Sequence, residues 1–169
     1  GILNSWVKKY IGASANYATM NEMAASIPAG SDGLTILPFG NGAERIFNNK
    51  IIGAQVLGLD LNKHTAAHIY RAAQEGIAFA FRYGLDIMRE NKLQPSVIKA
   101  GQANLFLSPV FTHAFVNATG VPVALYNVEG SVGAALGAGI GAGIYKELKE
   151  AFADTKPIQL IEPTETKQY

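Results

Sequence analysis

Apolar residues recur every three or four positions between Thr65 and Asn91, at Ala66, Ile69, Ala73, Ile77, Ala80, Gly84 and Ile87. That period predicts a long helix with one stripe against a core. Asn62 or Thr65 can cap its start, and Leu93-Gln-Pro95 ends it. Ile2, Leu3, Trp6, Val7 and Tyr10 predict an opening helix, and a second follows near 16–25. After the turn cluster Pro28-Ala-Gly-Ser-Asp-Gly33, the run 34–39 reads as a short strand. Ile51–Leu61 is β-rich but carries Gly53 and Gly58, so an irregular or bulged strand is expected. Beyond residue 96 the pattern alternates: strand at 97–100, helix at 108–119, strand at 121–126, helix at 131–150. Ser108 is the expected N-cap of the first of these helices, with Pro109 at the first helical position and Gly120 closing it. Such alternation predicts an α/β unit. Pro157–Tyr169 is polar, lacks periodicity and reads as a loose tail.

Composition narrows the function classes. At 169 residues and 49% apolar content the chain fits one globular domain with a real core. A net charge of +1 gives no basic footprint for nucleic acid. The absence of cysteine excludes disulfides and thiolate metal sites and is compatible with a reducing compartment. His64 and His68 stand at i, i+4, but no HExxH pattern accompanies them, so no metal site is assigned. The longest apolar run, Val132–Ile144, is too short to span a bilayer as a helix. The chain opens at Gly1 without an initiator Met, as a processed product or an excised piece of a longer chain would.

Candidate chemistry gathers where strands give way to helices. Gly101-Gln102-Ala103-Asn104 leaves the C-terminal end of a strand, the edge at which open α/β sheets bind ligands. Gly101 lacks a Cβ that would hold a planar ring away, and Gln102 and Asn104 each offer donors and acceptors. An ordinary turn is the competing reading. At 128–133, Ser131 is expected to cap a helix, and Glu129 opposes phosphate there. Gly133, Gly137, Gly139, Gly141 and Gly143 do not meet the G-x-G-x-x-G spacing, so close approach of another backbone is the expected reason for them. Glu75 could be catalytic but is expected to pair with Arg71; Arg82–Asp86 and Glu44–Arg45 are further expected pairs.

Several stretches together resemble the C-terminal domain of the FGGY carbohydrate kinases, most closely the xylulose kinase branch. Gly33-Leu-Thr-Ile-Leu-Pro-Phe-Gly-Asn-Gly-Ala-Glu-Arg45 is similar to the family's GLLFLPYLSGER. Gly58-Leu59 through His68-Ile69-Tyr-Arg-Ala72-Ala73-Gln74-Glu75-Gly76 resembles its second signature. Ala100-Gly-Gln-Ala-Asn-Leu-Phe-Leu-Ser108 is similar to the adenosine loop GGGAKSPLW, and Thr119–Val123 with 129–143 to the family's ending. The match covers roughly residues 30 to 146, with a weaker likeness at Gly1 and Ser5-Trp6. Departures are Gln74 for an aliphatic residue, Ala43 within Gly-Glu-Arg, and Ala100-Gly101-Gln102 for a triple glycine.

The resemblance implies a ribonuclease-H-like, actin-like ATPase fold, with residues 1–150 forming part of the C-terminal lobe of a two-lobed kinase and 151–169 a tail. It implies that Gly101, Gln102, Ala103 and Asn104 contact adenosine, Gly101 beneath the nucleoside and Asn104 at the adenine. Gly1 and Ser5 would lie near the ribose or phosphates. The cofactors implied are ATP and Mg²⁺, the metal held mainly by the nucleotide and by the rest of the parent. The partners implied are an N-terminal sugar-binding domain of the same parent, extending about 300 residues upstream, and a sugar substrate. The parent would be cytoplasmic, with neither nucleic acid nor membrane as partner, and a homodimer is compatible. The catalytic aspartate would precede Gly1, so the isolated chain is expected to be inactive. Two other readings stay open: a non-catalytic actin-like nucleotide-binding or interaction module, and a retained fold whose adenosine loop no longer binds.

Overall fold

The computed structural model describes residues 1–128, 130–153 and 156–169. Helices α1 (Ile2–Tyr10) and α2 (Tyr17–Ala25) open the chain, and the Asn16 side chain caps α2 by accepting the Thr19 N–H at 2.9 Å. Strand β1 (Thr35–Leu37) pairs antiparallel with β2 (Gln55–Leu57). The expected irregular strand is thus only three residues long. It ends at Gly58, with φ of +73°, where a Cβ would collide with the Gly33 carbonyl oxygen.

Helix α3 (Ala66–Glu90) is the axis of the molecule, about 37 Å long. Thr65 caps it in a reciprocal box, its side chain accepting the His68 N–H while His68 Nδ1 accepts the Thr65 N–H at 3.1 Å. The single apolar stripe is replaced by something broader: 70–76 are all buried, because α1, α2, β1 and α4 (Pro109–Thr119) surround that half of the helix. At Gly76 a Cβ would overlap the Ile36 carbonyl oxygen, so only glycine lets β1 lie this close.

Strand β3 (Ile98–Gly101) runs parallel to β4 (Val123–Tyr126), with α4 as the crossover. Ser108 and Gly120 close the two ends of α4 as expected, the latter at φ 65°. Phe111, Ala114, Phe115 and Val116 of α4 form one core cluster with Val123 and Leu125; a second joins Val7, Met20, Leu34 and Ile36 to Tyr70 and Ala73.

The C-terminal part departs from expectation. The helix expected over 131–150 is two pieces, α5 (Gly130–Gly141) and α6 (Leu148–Ala151). Gly143, at φ +73°, breaks the run, and Ser131 lies inside α5 rather than capping it. Glu129 lies outside the described residues. The close-packing explanation of the glycines also fails. A Cβ at Gly133, Gly137, Gly141 or Gly143 would meet nothing within 4 Å, and at Gly139 it would meet only the Tyr145 ring and Ile144.

The supposed loose tail is folded. Strand β5 (Pro157–Ile161) pairs antiparallel with β4, completing the sheet order β3-β4-β5. The Asn117 side chain accepts the Thr164 and Glu165 N–H groups at 2.8 and 2.7 Å, and the Tyr169 hydroxyl accepts from Arg71 at 2.9 Å. Residues 157–161 are mostly exposed, so no buried face imposes a hydrophobic alternation on them. Among the described residues no helix is long and apolar enough to cross a membrane.

Candidate functional site

Parallel pairing brings the C-terminal ends of β3 and β4 to one rim, at Gly101 and Tyr126. There the Gln102 N–H donates to the Tyr126 carbonyl and the Ala103 N–H to the Gly101 carbonyl, both at 2.8 Å. These bonds turn the chain sharply into a 3-10 turn over Asn104–Leu107, entered with Asn104 at φ 53°. Asparagine tolerates that left-handed conformation better than most residues. Beside the turn opens a cavity of about 440 Å³ walled by Gly101, Ala103, Asn104, Phe106, Phe111 and Val128. Phe106 meets Phe111 edge to face, their centroids 5.2 Å apart.

Gly101 is required for a different reason from the one expected. A Cβ there would strike the Val128 carbonyl oxygen, so the missing side chain admits the Val128 backbone instead of leaving a flat seat open. The residue divides two spaces. On its other side lies a second cavity of about 510 Å³, where Lys99 and Lys149 accompany Tyr126 and Phe152.

Of the expected contact residues, Gly101, Ala103 and Asn104 line the first cavity, whereas exposed Gln102 lines neither. Gly1 comes close: a Cβ built on it would lie 3.9 Å from Leu105 Cδ1, bringing the start of α1 to the 3-10 turn. Ser5 is exposed one turn along α1 and lines neither cavity. The described lining of the first cavity carries no charge and one side-chain amide. Such a site suits a planar, largely apolar group recognised at one edge. It does not suit a metal, and no group of three or more His, Asp or Glu that could hold one occurs among the described residues.

The charged residues of α3 are committed elsewhere. Glu75 accepts from Arg71 Nε at 2.6 Å, the Ser31 hydroxyl at 2.9 Å and the Gly30 N–H at 3.1 Å. Arg71 also donates to the Ile27 carbonyl at 2.7 Å. The buried pair therefore locks the 27–31 turn, as the structural reading of Glu75 expects. His68 Nε2 contacts Asp32 Oδ2 at 3.2 Å; this hydrogen bond first, and Lys63 beside it, hold the Asp32 carboxyl below its usual range against a desolvation that pushes it up. Arg82 reaches both oxygens of Asp86 at 2.8 Å. Glu44 and Arg45 form no ion pair; Glu44 instead bridges to Lys50 through its backbone.

The sequence reading missed the aromatic wall and the buried polar link behind it, from Gln74 to Ser108. Phe106 and Phe111 stand five residues apart, a separation that ordinary core packing produces as well, so no signal marked them.

Residues 1–142 match the profile of the FGGY family of carbohydrate kinases, C-terminal domain. A xylulose kinase of Haemophilus influenzae is 41% identical over 80 residues, covering 47% of this chain and 16% of that protein. The L-xylulose/3-keto-L-gulonate kinase of Escherichia coli is 30% identical over 158 residues, covering 89% of this chain and 30% of that protein. The crystal structure of xylulose kinase from Rhodospirillum rubrum superimposes with a TM-score of 0.78 at 27% identity, over 99% of this chain and 34% of that one. The chain thus spans less than a third of the curated relatives it matches.

Proposed function

Because the chain belongs to the FGGY family of carbohydrate kinases, we propose that it supplies the adenosine-holding part of the C-terminal lobe of a xylulose-kinase-like enzyme. In the whole protein the γ-phosphoryl of MgATP passes to a hydroxyl of a ketopentose or similar sugar. An N-terminal domain of the same parent brings the sugar pocket and the aspartate that accepts the hydroxyl proton. Bound Mg²⁺ neutralises charge on the phosphates and is held mainly by the nucleotide and the rest of the parent.

The observation that carries this reading is the neutral cavity at the C-terminal rim of the parallel pair, lined by Gly101, Ala103 and Asn104. Gly101 and Ala103 offer backbone against the nucleoside, and the Asn104 amide pairs with an edge of the adenine. Gln102, outside the cavity lining, flanks the base from the solvent side, while Gly1, beside the 3-10 turn, and Ser5, one turn along α1, lie toward the ribose or phosphates. Residues 1–150 form the lobe, and the folded 157–169 segment packs onto it.

Asn104→Gly tests this directly, since glycine keeps the left-handed backbone and removes only the amide. In the full-length enzyme it should raise KM for ATP about five- to tenfold, the worth of one hydrogen bond, and leave KM for the sugar unchanged. An unaltered KM for ATP overturns the assignment. The 169-residue chain by itself should not phosphorylate D-xylulose, because transfer needs charge stabilisation and lobe closure that one half cannot supply. Sugar phosphate formed by the purified chain with MgATP counts against that. The same neutral lining serves a nucleotide-binding module without catalysis, and sugar phosphorylation by the full-length protein separates the two readings.

A further inference from the structure

We propose that Gln74 is a positioning residue for the nucleotide loop, acting through Ser108; this rests on the adenosine reading of the cavity. Gln74 lies on α3, only 1% exposed, in a stretch otherwise packed with small apolar and paired charged residues. Its Oε1 accepts the Ser108 hydroxyl proton at 2.6 Å, and its Nε2 donates to Asn21 Oδ1 on α2 at 3.1 Å. Both ends of the amide are therefore satisfied, and it lies wholly within a three-element relay from α2 to the head of α4.

Ser108 is where that relay acts on the loop. It closes the Asn104–Leu107 turn, donating its N–H to the Leu105 carbonyl at 2.9 Å. It also begins α4, its hydroxyl oxygen accepting the Phe111 N–H at 3.4 Å. With the hydroxyl proton committed to Gln74, the oxygen lone pairs face the helix start. Ser108, 3% exposed, stands between Phe106 and Phe111, the aromatic pair that walls the cavity. The loop is consequently pinned twice: to the Tyr126 carbonyl through the Gln102 N–H, and to α3 through Gln74. Removing the second pin frees the 103–107 segment and the Phe106 ring while the strand end stays in register. Loss of the acceptor falls on whatever occupies the cavity; loss of the Nε2 bond to Asn21 falls on α2 and is read as stability rather than as ATP affinity.

The test is carried out on the full-length protein, with ATP affinity measured by calorimetry and KM determined separately for ATP and sugar. Gln74→Met keeps the volume and removes both the acceptor for Ser108 and the donor to Asn21; it should weaken ATP binding about fivefold or more and leave KM for the sugar unchanged. Gln74→Glu, which still accepts from Ser108, should bind ATP more tightly than the Met variant. Ser108→Ala cuts the relay from its other end and serves if Gln74→Met does not fold. Gln74→Met with Ser108→Ala should be no worse than the weaker single variant, because both break one connection. Unchanged ATP affinity in the single variants, equal losses for ATP and sugar, or multiplying effects in the double variant would overturn the proposal. No ATP binding by the unsubstituted protein would overturn the nucleotide reading itself, and this inference with it.

Discussion

Single residues in this chain are constrained chiefly by backbone approach and by buried charge. Gly76 meets the Ile36 carbonyl and Gly101 the Val128 carbonyl, and in each case a methyl group has no room. Gly76→Ala should therefore cost about 2 kcal/mol or more, as β1 is forced away from α3, measurable as a lowered urea midpoint. Glu75→Ala leaves Arg71 buried with its main partner gone, and a loss of about 3 kcal/mol is expected. Replacing both members by apolar residues of similar volume should recover much of that loss, and chemical denaturation of the three variants checks it. The Arg71–Glu75 spacing was readable in the sequence, because i, i+4 partners adjoin on any helix. That the pair is buried, and clamps residues 27–31, came only from the elements packed over it.

At the scale of elements, capping and charge decide where helices stop. The last turn of α4 is held from α3: Arg82 donates to the Ala118 carbonyl at 2.7 Å and Arg89 to the Thr119 carbonyl at 2.8 Å. Asp86 orients both guanidinium groups. Desolvation pushes its carboxyl up, but hydrogen bonds from Arg82 and Arg89 outweigh that and hold it below the usual carboxylate range. A depressed folded-state pKa adds stability above the unfolded-state value and loses it as pH falls through the folded-state value. Because Asp86 is 40% exposed, solvent screening keeps the contribution near 0.5 kcal/mol. Asp86→Asn should thus lower stability slightly at pH 7 and have little effect at pH 2, giving a shallower acid limb in thermal melts. Asp32, held down by His68 and Lys63, acts in the same direction. Element identity for α1, α2, α3, α4, β3 and β4 was legible because local period and caps agree. The end of α5 was not, since a glycine within a helix and one that terminates it look alike in sequence.

On the scale of the molecule, the aromatic-walled cavity draws on parts distant in the chain: Phe81 of α3, the continuous run from the end of β3 through the 3-10 turn to the start of α4, Val128 after β4, and Gly130 and Gly133 of α5. A family signature could point to 101–104 because short motifs persist in order along a chain. It could not reveal that Gln102 is exposed and lines neither cavity, that the Val128 carbonyl accounts for Gly101, or that Gln74 holds Ser108. The sequence by itself determined the α/β class, the helix caps and the family, all of which rest on neighbours along the chain and on ordered motifs. Tertiary structure alone decided the burial of residues 70–76 of α3 on all sides, the pairing of 157–161 with β4, and the walls of the cavity. The physical reason is that these depend on which surfaces meet across tens of residues, and hydrophobic period encodes that a face is buried without encoding against what.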